Sequence, residues 1–244
     1  MTQISRNNNA VSETLGYILL FGIVTLSMGI IYVVGYPVLQ SNIDANVFES
    51  SEQSFIVLQS NMKRVSFDQA PVKNLKIKLQ GSELSVDDHS SSIEINYDGN
   101  SHTYNAGEIR FSKGKKSIIY EMGGVIKSYS PTSTLMVSKP PVYTSTIGND
   151  SVTTIGVVSL NGNAWLSGRG ITTVTMQHNT SIMNMTSSDT NVTVVINSLN
   201  APAWKIYLED AGFIISESTP AKVSATKNDT RLIISRHIVD VGMN

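Results

Sequence analysis

The feature that most constrains this chain is Leu15–Leu39, LGYILLFGIVTLSMGIIYVVGYPVL, a charge-free run starting two positions after the carboxylate of Glu13. A helix rising about 1.5 Å per residue carries such a run roughly 37 Å, beyond the ~30 Å hydrocarbon core of a bilayer. The segment therefore reads as a tilted membrane span whose first partner is membrane lipid. A removable secretory signal is the rival reading. It calls for an apolar region of about 7–15 residues and then a small-x-small cleavage site. Here the run passes into Gln40, Ser41 and Asn42 without such a site.

Arg6 is the only charged side chain before Glu13, and the first charges after the span are Asp44, Glu49 and Glu52. Cations favour the inner side, so a single-pass protein is expected, with its N-terminus inside and its remaining residues outside. Composition suits an exported surface domain: no Cys, about a fifth Ser plus Thr, and 15% charged residues. Without Cys there is neither a disulfide framework nor a thiolate metal site. A net charge of -1 supplies no field for nucleic acid, so no nucleic-acid partner is expected.

Beyond Pro37 the apolar residues Ile43, Val47, Phe55, Leu58, Met62 and Val65 recur at spacings of threes and fours, with Ser51 in the gap and charged or amide residues between. One helix is thus predicted from Val11 to about Phe67, amphipathic in its second half, with Pro71 marking its stop. Pro37 lacks an N–H and presses on the carbonyl of Val33, which predicts a kink or local unwinding near the outer membrane face. Gly16, Gly22, Gly29 and Gly35 put small residues on roughly one face, where another helix backbone can approach closely.

The order of polar leader, small residue, Glu, long apolar helix, amphipathic continuation and β-rich head resembles the type IV pilin plan. In detail, Asn9, Ala10, Val11, Ser12, Glu13, Thr14, Leu15 and Gly16 resemble the N-termini of archaeal type IV pilin-like proteins. The resemblance implies a class III signal peptide: a pilin-type signal peptidase cuts after Ala10, and the helix starting at Val11 stays on the mature subunit to build a filament core. Bacterial type IV pilins carry Glu as the fifth mature residue, which would move the cut to Asn8 and Asn9. SFIVLQSNMKRV from Ser54, YEMGGVIK from Tyr120 and APAWKIYLEDAGF from Ala201 resemble segments of a poorly characterised archaeal group with the same N-terminus.

After Pro71 the helical period gives way to alternation. Leu75, Ile77 and Leu79 alternate with Lys76 and Lys78, and further short runs follow at 84–86, 93–97, 109–111, 118–120 and 125–129. A second set is predicted at 153–160, 171–176, 192–197, 213–215, 222–225, 232–235 and 238–241. A short helix at Ala201 to Ala211 interrupts it, with Asn200 as cap, Pro202 in the first turn, Gly212 as terminator, and Trp204, Tyr207, Leu208 and Ala211 facing the sheet. The fold class is therefore α+β: a long N-terminal helix, transmembrane and then amphipathic, followed by a β-sandwich-like outer domain. The expected domains are a leader (1–10), the span (11–39), its amphipathic extension (40–70) and the outer domain (71–244), with a sub-boundary near 140. The outer domain is expected to fold alone.

The sequence supports no enzyme, cofactor or metal. His89, His102, His178 and His237 are scattered without helical metal-ligand spacing, and Asp87, Asp88 and His89 read as a solvated turn. Lys113, Lys115 and Lys116 read as a hairpin tip, since the spacing from Gly107 fails a phosphate loop. Sequons stand at Asn149, Asn179, Asn184, Asn191 and Asn228, and chance alone gives about four in a chain this rich in Asn, Ser and Thr. Three of them fall in an expected polar loop from His178 to Thr193, accessible to glycans. The expected function is a pilin-like structural subunit, major or minor, that self-associates through its N-terminal helix. In that setting Glu13 pairs with the Val11 ammonium of a neighbouring copy. The alternative is a membrane-anchored surface binding protein that never polymerises.

Overall fold

A computed structural model of the chain describes residues 8–130, 133–148, 150–186 and 188–244, with side chains from Thr14 onward except that of Ile147. The N-terminal helix runs as α1 (Asn8–Ile30), a π-helical turn (Ile31–Gly35) and α2 (Tyr36–Ser66). The π turn sits directly before Pro37, where the ring and the missing N–H are incompatible with an ordinary α turn. Widening the helix there keeps it continuous, and Tyr36 still donates its N–H to the Tyr32 carbonyl. The chain divides into two compact units, Met1–Val47 and Phe48–Asn244. The second begins inside α2.

From Phe48 onward the α2 stripe is buried: Phe55, Leu58, Met62 and Val65 are fully enclosed, as is Ser66, and Ser51 lies among them. Upstream, Ile43 is exposed. Phe55 meets Phe111 edge-on at 6.5 Å between centroids, Glu52 pairs with Lys127, and Gln59 donates to the carbonyls of Gly123 at 2.7 Å and Lys139 at 3.0 Å. Residues 48–66 are thus part of the folded β-rich unit rather than a separable extension. Their apolar stripe is what the sheet needs covered.

The strands before the double proline are β1 (Val72–Lys78), β2 (Ser82–Asp87), β3 (Ser92–Tyr97), β4 (Asn100–Asn105), β5 (Glu108–Lys113), β6 (Lys116–Glu121), β7 (Gly124–Ser130) and β8 (Ser133–Ser138). After it come β9 (Val142–Ile147), β10 (Asp150–Asn161), β11 (Asn163–Gly168), β12 (Ile171–Met185), β13 (Thr190–Asn197), α3 (Ala201–Asp210), β14 (Ile214–Thr219) and β15 (Lys222–Met243). One sheet is six-stranded in the order β11-β2-β5-β6-β7-β8, all antiparallel. The other is nine-stranded and built on β15.

Strand β15 is 22 residues long, and its two halves have different neighbours. Its first half lies between β13 and β14, and its second between β12 and β10, the β10 pairing being parallel. The sequence reading expects three short strands in this stretch, with Lys227, Asn228 and Asp229 falling between the first two. In the fold they mark where β15 changes partners, with Asp229 at φ 49° and a register shift opposite Thr190/Val192. The expected loop from His178 to Thr193 is likewise mostly strand. Strand β12 continues to Met185 because β15 is there to pair with it, and β13 starts at Thr190.

The two sheets share a core. Ile119 and Ile126 of the six-stranded sheet meet Ile93, Ile95, Val194, Ile196, Val223 and Ile234 of the nine-stranded one, and α3 contributes Trp204, Tyr207 and Leu208. Because successive strand residues point to opposite faces, Ile119 looks into this core while Ile118 and Tyr120, also buried, occupy the other face.

Candidate functional site

From Thr14 to Leu39 every side chain is exposed, and this stretch carries no Asp, Glu, Lys or Arg. It belongs to one helix, Thr14–Ser66, that is long and apolar enough to cross a membrane, consistent with single-pass anchoring. A Cβ built on Gly16, Gly22 or Gly29 meets no atom within 4 Å. Nothing inside the chain therefore requires glycine at these positions. The hydroxyl of Thr25 is absorbed by the helix itself, donating to the Phe21 carbonyl at 2.8 Å, so it adds no polarity to the apolar surface. The backbone of Ala10, Val11 and Glu13 lies in α1, while their side chains lie outside the described residues, as does the leader before Asn8.

The structure brings together a constellation that sequence reasoning missed. Glu121, at the end of β6, is fully buried. Its Oε2 accepts from Ser198 Oγ at 2.9 Å and Asn200 Nδ2 at 2.5 Å, and its Oε1 accepts from Trp204 Nε1 at 3.1 Å. Burial raises the carboxyl pKa to about 7, against the pull of these three neutral donors. Asn200 therefore does not cap α3 with its side chain, as the sequence reading expects; it is turned to the carboxylate instead. The only sequence signal was a lone carboxylate inside the apolar run Ile118-Ile119-Tyr120-Glu121-Met122.

A second polar cluster lies at the end of α2. Ser181 Oγ is 2.8 Å from His237 Nδ1 and 3.0 Å from His178 Nε2, and it also reaches the Ser66 carbonyl at 3.4 Å. Phe67 packs on the His237 ring at 4.3 Å. Burial, together with the neighbouring His178, holds the His237 pKa below the usual histidine value. His178 and His237, scattered in sequence, thus meet across the β12–β15 pair.

The remaining sequence-derived positions fall in varied settings. Lys113 and Lys116 flank the β5–β6 hairpin turn containing Lys115, and Lys116 extends over the Phe48 ring at 5.6 Å. Asp87, Asp88 and His89 form a turn after β2, in which Asp87 accepts the His89 backbone N–H at 2.9 Å and Asp88 contacts the His89 ring at 2.5 Å. His102 stacks between Tyr97 and Tyr104. Among the sequons, Asn179 and Asn184 are exposed on β12, Asn191 on β13 and Asn228 on β15, while Asn149 lies outside the described residues. Asn179 Nδ2 donates to both carboxylate oxygens of Asp240.

These features define a chain with one long N-terminal helix, apolar and exposed from Leu15 to Leu39, followed by a β-rich unit. The chain belongs to the family of unknown function DUF7289, which it matches over residues 9–242, apolar helix included. It is similar to two uncharacterised proteins of Archaeoglobus fulgidus. One is 23% identical over 233 residues, covering 84% of this chain and 83% of that protein. The other is 36% identical over 80 residues, 33% of this chain and 26% of that protein. No solved structure matches the chain.

Proposed function

We propose that this protein is a pilin-like structural subunit of an archaeal surface filament, anchored by its N-terminal helix before assembly, with the β-rich unit facing outward. The observation that carries this reading is the helix itself. An apolar rod with every side chain exposed from Thr14 to Leu39 must be covered by lipid, by other helices, or by each in turn. In this reading a pilin-type peptidase cuts after Ala10, and Glu13 pairs with the Val11 ammonium of a neighbour in a low-dielectric core. Exposed Asn184, Asn191 and Asn228 are the positions best suited to carry glycans.

The test is Glu13→Gln. Membrane insertion is expected to stay intact while filament assembly falls, seen by electron microscopy of sheared surface fractions. Assembly equal to the parent's removes the pairing role. A second reading, a non-polymerising membrane-anchored surface binding protein, is favoured by one observation: a cleft in the β-rich unit large enough for a ligand.

A further inference from the structure

The cleft has a volume of about 550 Å³, within the usual range for small-molecule sites. Its helical wall presents Ile56, Gln59, Ser60 and Lys63 of α2, with Phe67 beyond, and the opposite wall is Lys139-Pro140-Pro141 with Tyr143 and Val158. The proline wall is held from behind. Tyr207 Oη donates to the carbonyls of Pro140 and Val142, and the Gly156 N–H donates to the Pro141 carbonyl at 2.7 Å. At Gly123, φ 85°, an added Cβ would lie 2.5 Å from Pro141 Cδ, so the turn closing the cleft accepts only glycine. The helical wall is fixed by Gln59, whose amide spans to the Gly123 and Lys139 carbonyls and accepts from Ser138 Oγ at 2.5 Å. The cleft is therefore pre-formed.

Its chemistry is one-sided. Lys63 and Lys139 line it, no carboxylate does, and the rest of its wall is largely apolar. Tyr120 also lines it. That side chain is 1% exposed, so its ring is packed in the wall of the cleft. A phenol hydroxyl lining a cleft can donate to a ligand oxygen.

We propose that this cleft binds a small organic oxyanion joined to an apolar body, with the Tyr120 hydroxyl and the Lys63 and Lys139 ammoniums receiving the anion. The apolar body packs on Ile56, Phe67 and Pro141. Two cations and a phenol lining one cleft suit a carboxylate or phosphate, and the volume excludes a folded partner. Ligand binding here is independent of whether the helix polymerises.

The test uses the full chain in phosphatidylcholine nanodiscs, with naphthalene-2-carboxylate as probe, titrated by ligand-observed NMR against empty discs. Saturable binding is expected, with the neutral naphthalene-2-carboxamide about tenfold weaker or more. Tyr120→Phe, which keeps the ring, and Lys63→Gln, on the exposed rim, should each weaken binding by roughly five- to tenfold, whereas Lys76→Gln outside the cleft should not. Should Tyr120→Phe fail to fold, Lys63→Gln decides alone. Displacement by soluble dihexanoylphosphatidylglycerol assigns a lipid phosphate as the anion's source, and lack of displacement assigns a free, non-lipid organic anion. Absence of saturable binding, equal affinity for the carboxamide, or unchanged affinity in the cleft variants overturns the proposal.

Discussion

The indole N–H of Trp204 donates to Oε1 of Glu121 at 3.1 Å across 83 residues of sequence, tying α3 to the end of β6 inside the core. The carboxyl is fully buried and has three neutral donors but no cation among its bonded partners. It is therefore a group whose protonation is coupled to folding.

Glu121 has a pKa raised to about 7 from an ordinary 4.5. The folded state then holds a proton that the unfolded chain releases, so this group's contribution is complete below pH 4.5, falls as pH rises, and is lost above about 7. The loss is on the order of 3 kcal/mol. Urea denaturation of the parent and Glu121→Gln between pH 4 and 8 should show this falling component in the parent and not in the variant. Parallel pH profiles would contradict it.

His237 titrates with the opposite sign. Its pKa is lowered by burial and by His178, so stability from this group is complete above its ordinary value near 6.5 and declines as pH falls through it. A proton NMR titration should find His237 mostly neutral at pH 6.5. A midpoint at or above 6.5 would show that the ring is not enclosed by Phe67 and Ser181 as described.

Trp204→Phe keeps most of the apolar bulk and removes one donor from a buried carboxylate. A loss of roughly 1–3 kcal/mol is expected, together with a further rise in the Glu121 pKa. Thermal melts across pH check both, and a variant as stable as the parent at pH 8 would mean that the indole N–H is satisfied elsewhere.

The lower half of α2 should behave as core. Phe55→Ala, which empties a fully buried site against Phe111, is expected to cost about 3–5 kcal/mol, whereas Val57→Ala on the exposed side should cost under about 0.5. A fragment starting at Phe48 should melt cooperatively, and one starting at Pro71 should be less stable by more than the Phe55→Ala loss. Equal melting of the two fragments would show that the stripe is dispensable.

Much of this architecture is legible in the sequence because its signals are local. The charge-free run, the three-and-four spacing through Val65, and the glycines at hairpin turns each express a backbone preference within a few residues. Trp204, Tyr207 and Leu208 fall on one face of α3 for the same reason, and all three are buried. What escapes local reading depends on distant partners. Lys227-Asn228-Asp229 has turn chemistry, yet β13 and β14 on one side of it and β12 and β10 on the other keep β15 extended. Asn200 has cap chemistry, yet Glu121 takes its amide. Neither Glu121 nor the His178–Ser181–His237 cluster announces itself, since its members become neighbours only when the sheets form.

The central claim is that the apolar helix belongs to a processed, filament-forming subunit, and the most direct measurement is the N-terminus of the protein recovered from sheared surface filaments. Peptide mass spectrometry should find a mature chain beginning at Val11, with Glu13 and the intact apolar helix present. Recovery of the chain only in membranes with its leader intact, or in the medium with a terminus beyond Leu39, would contradict that claim.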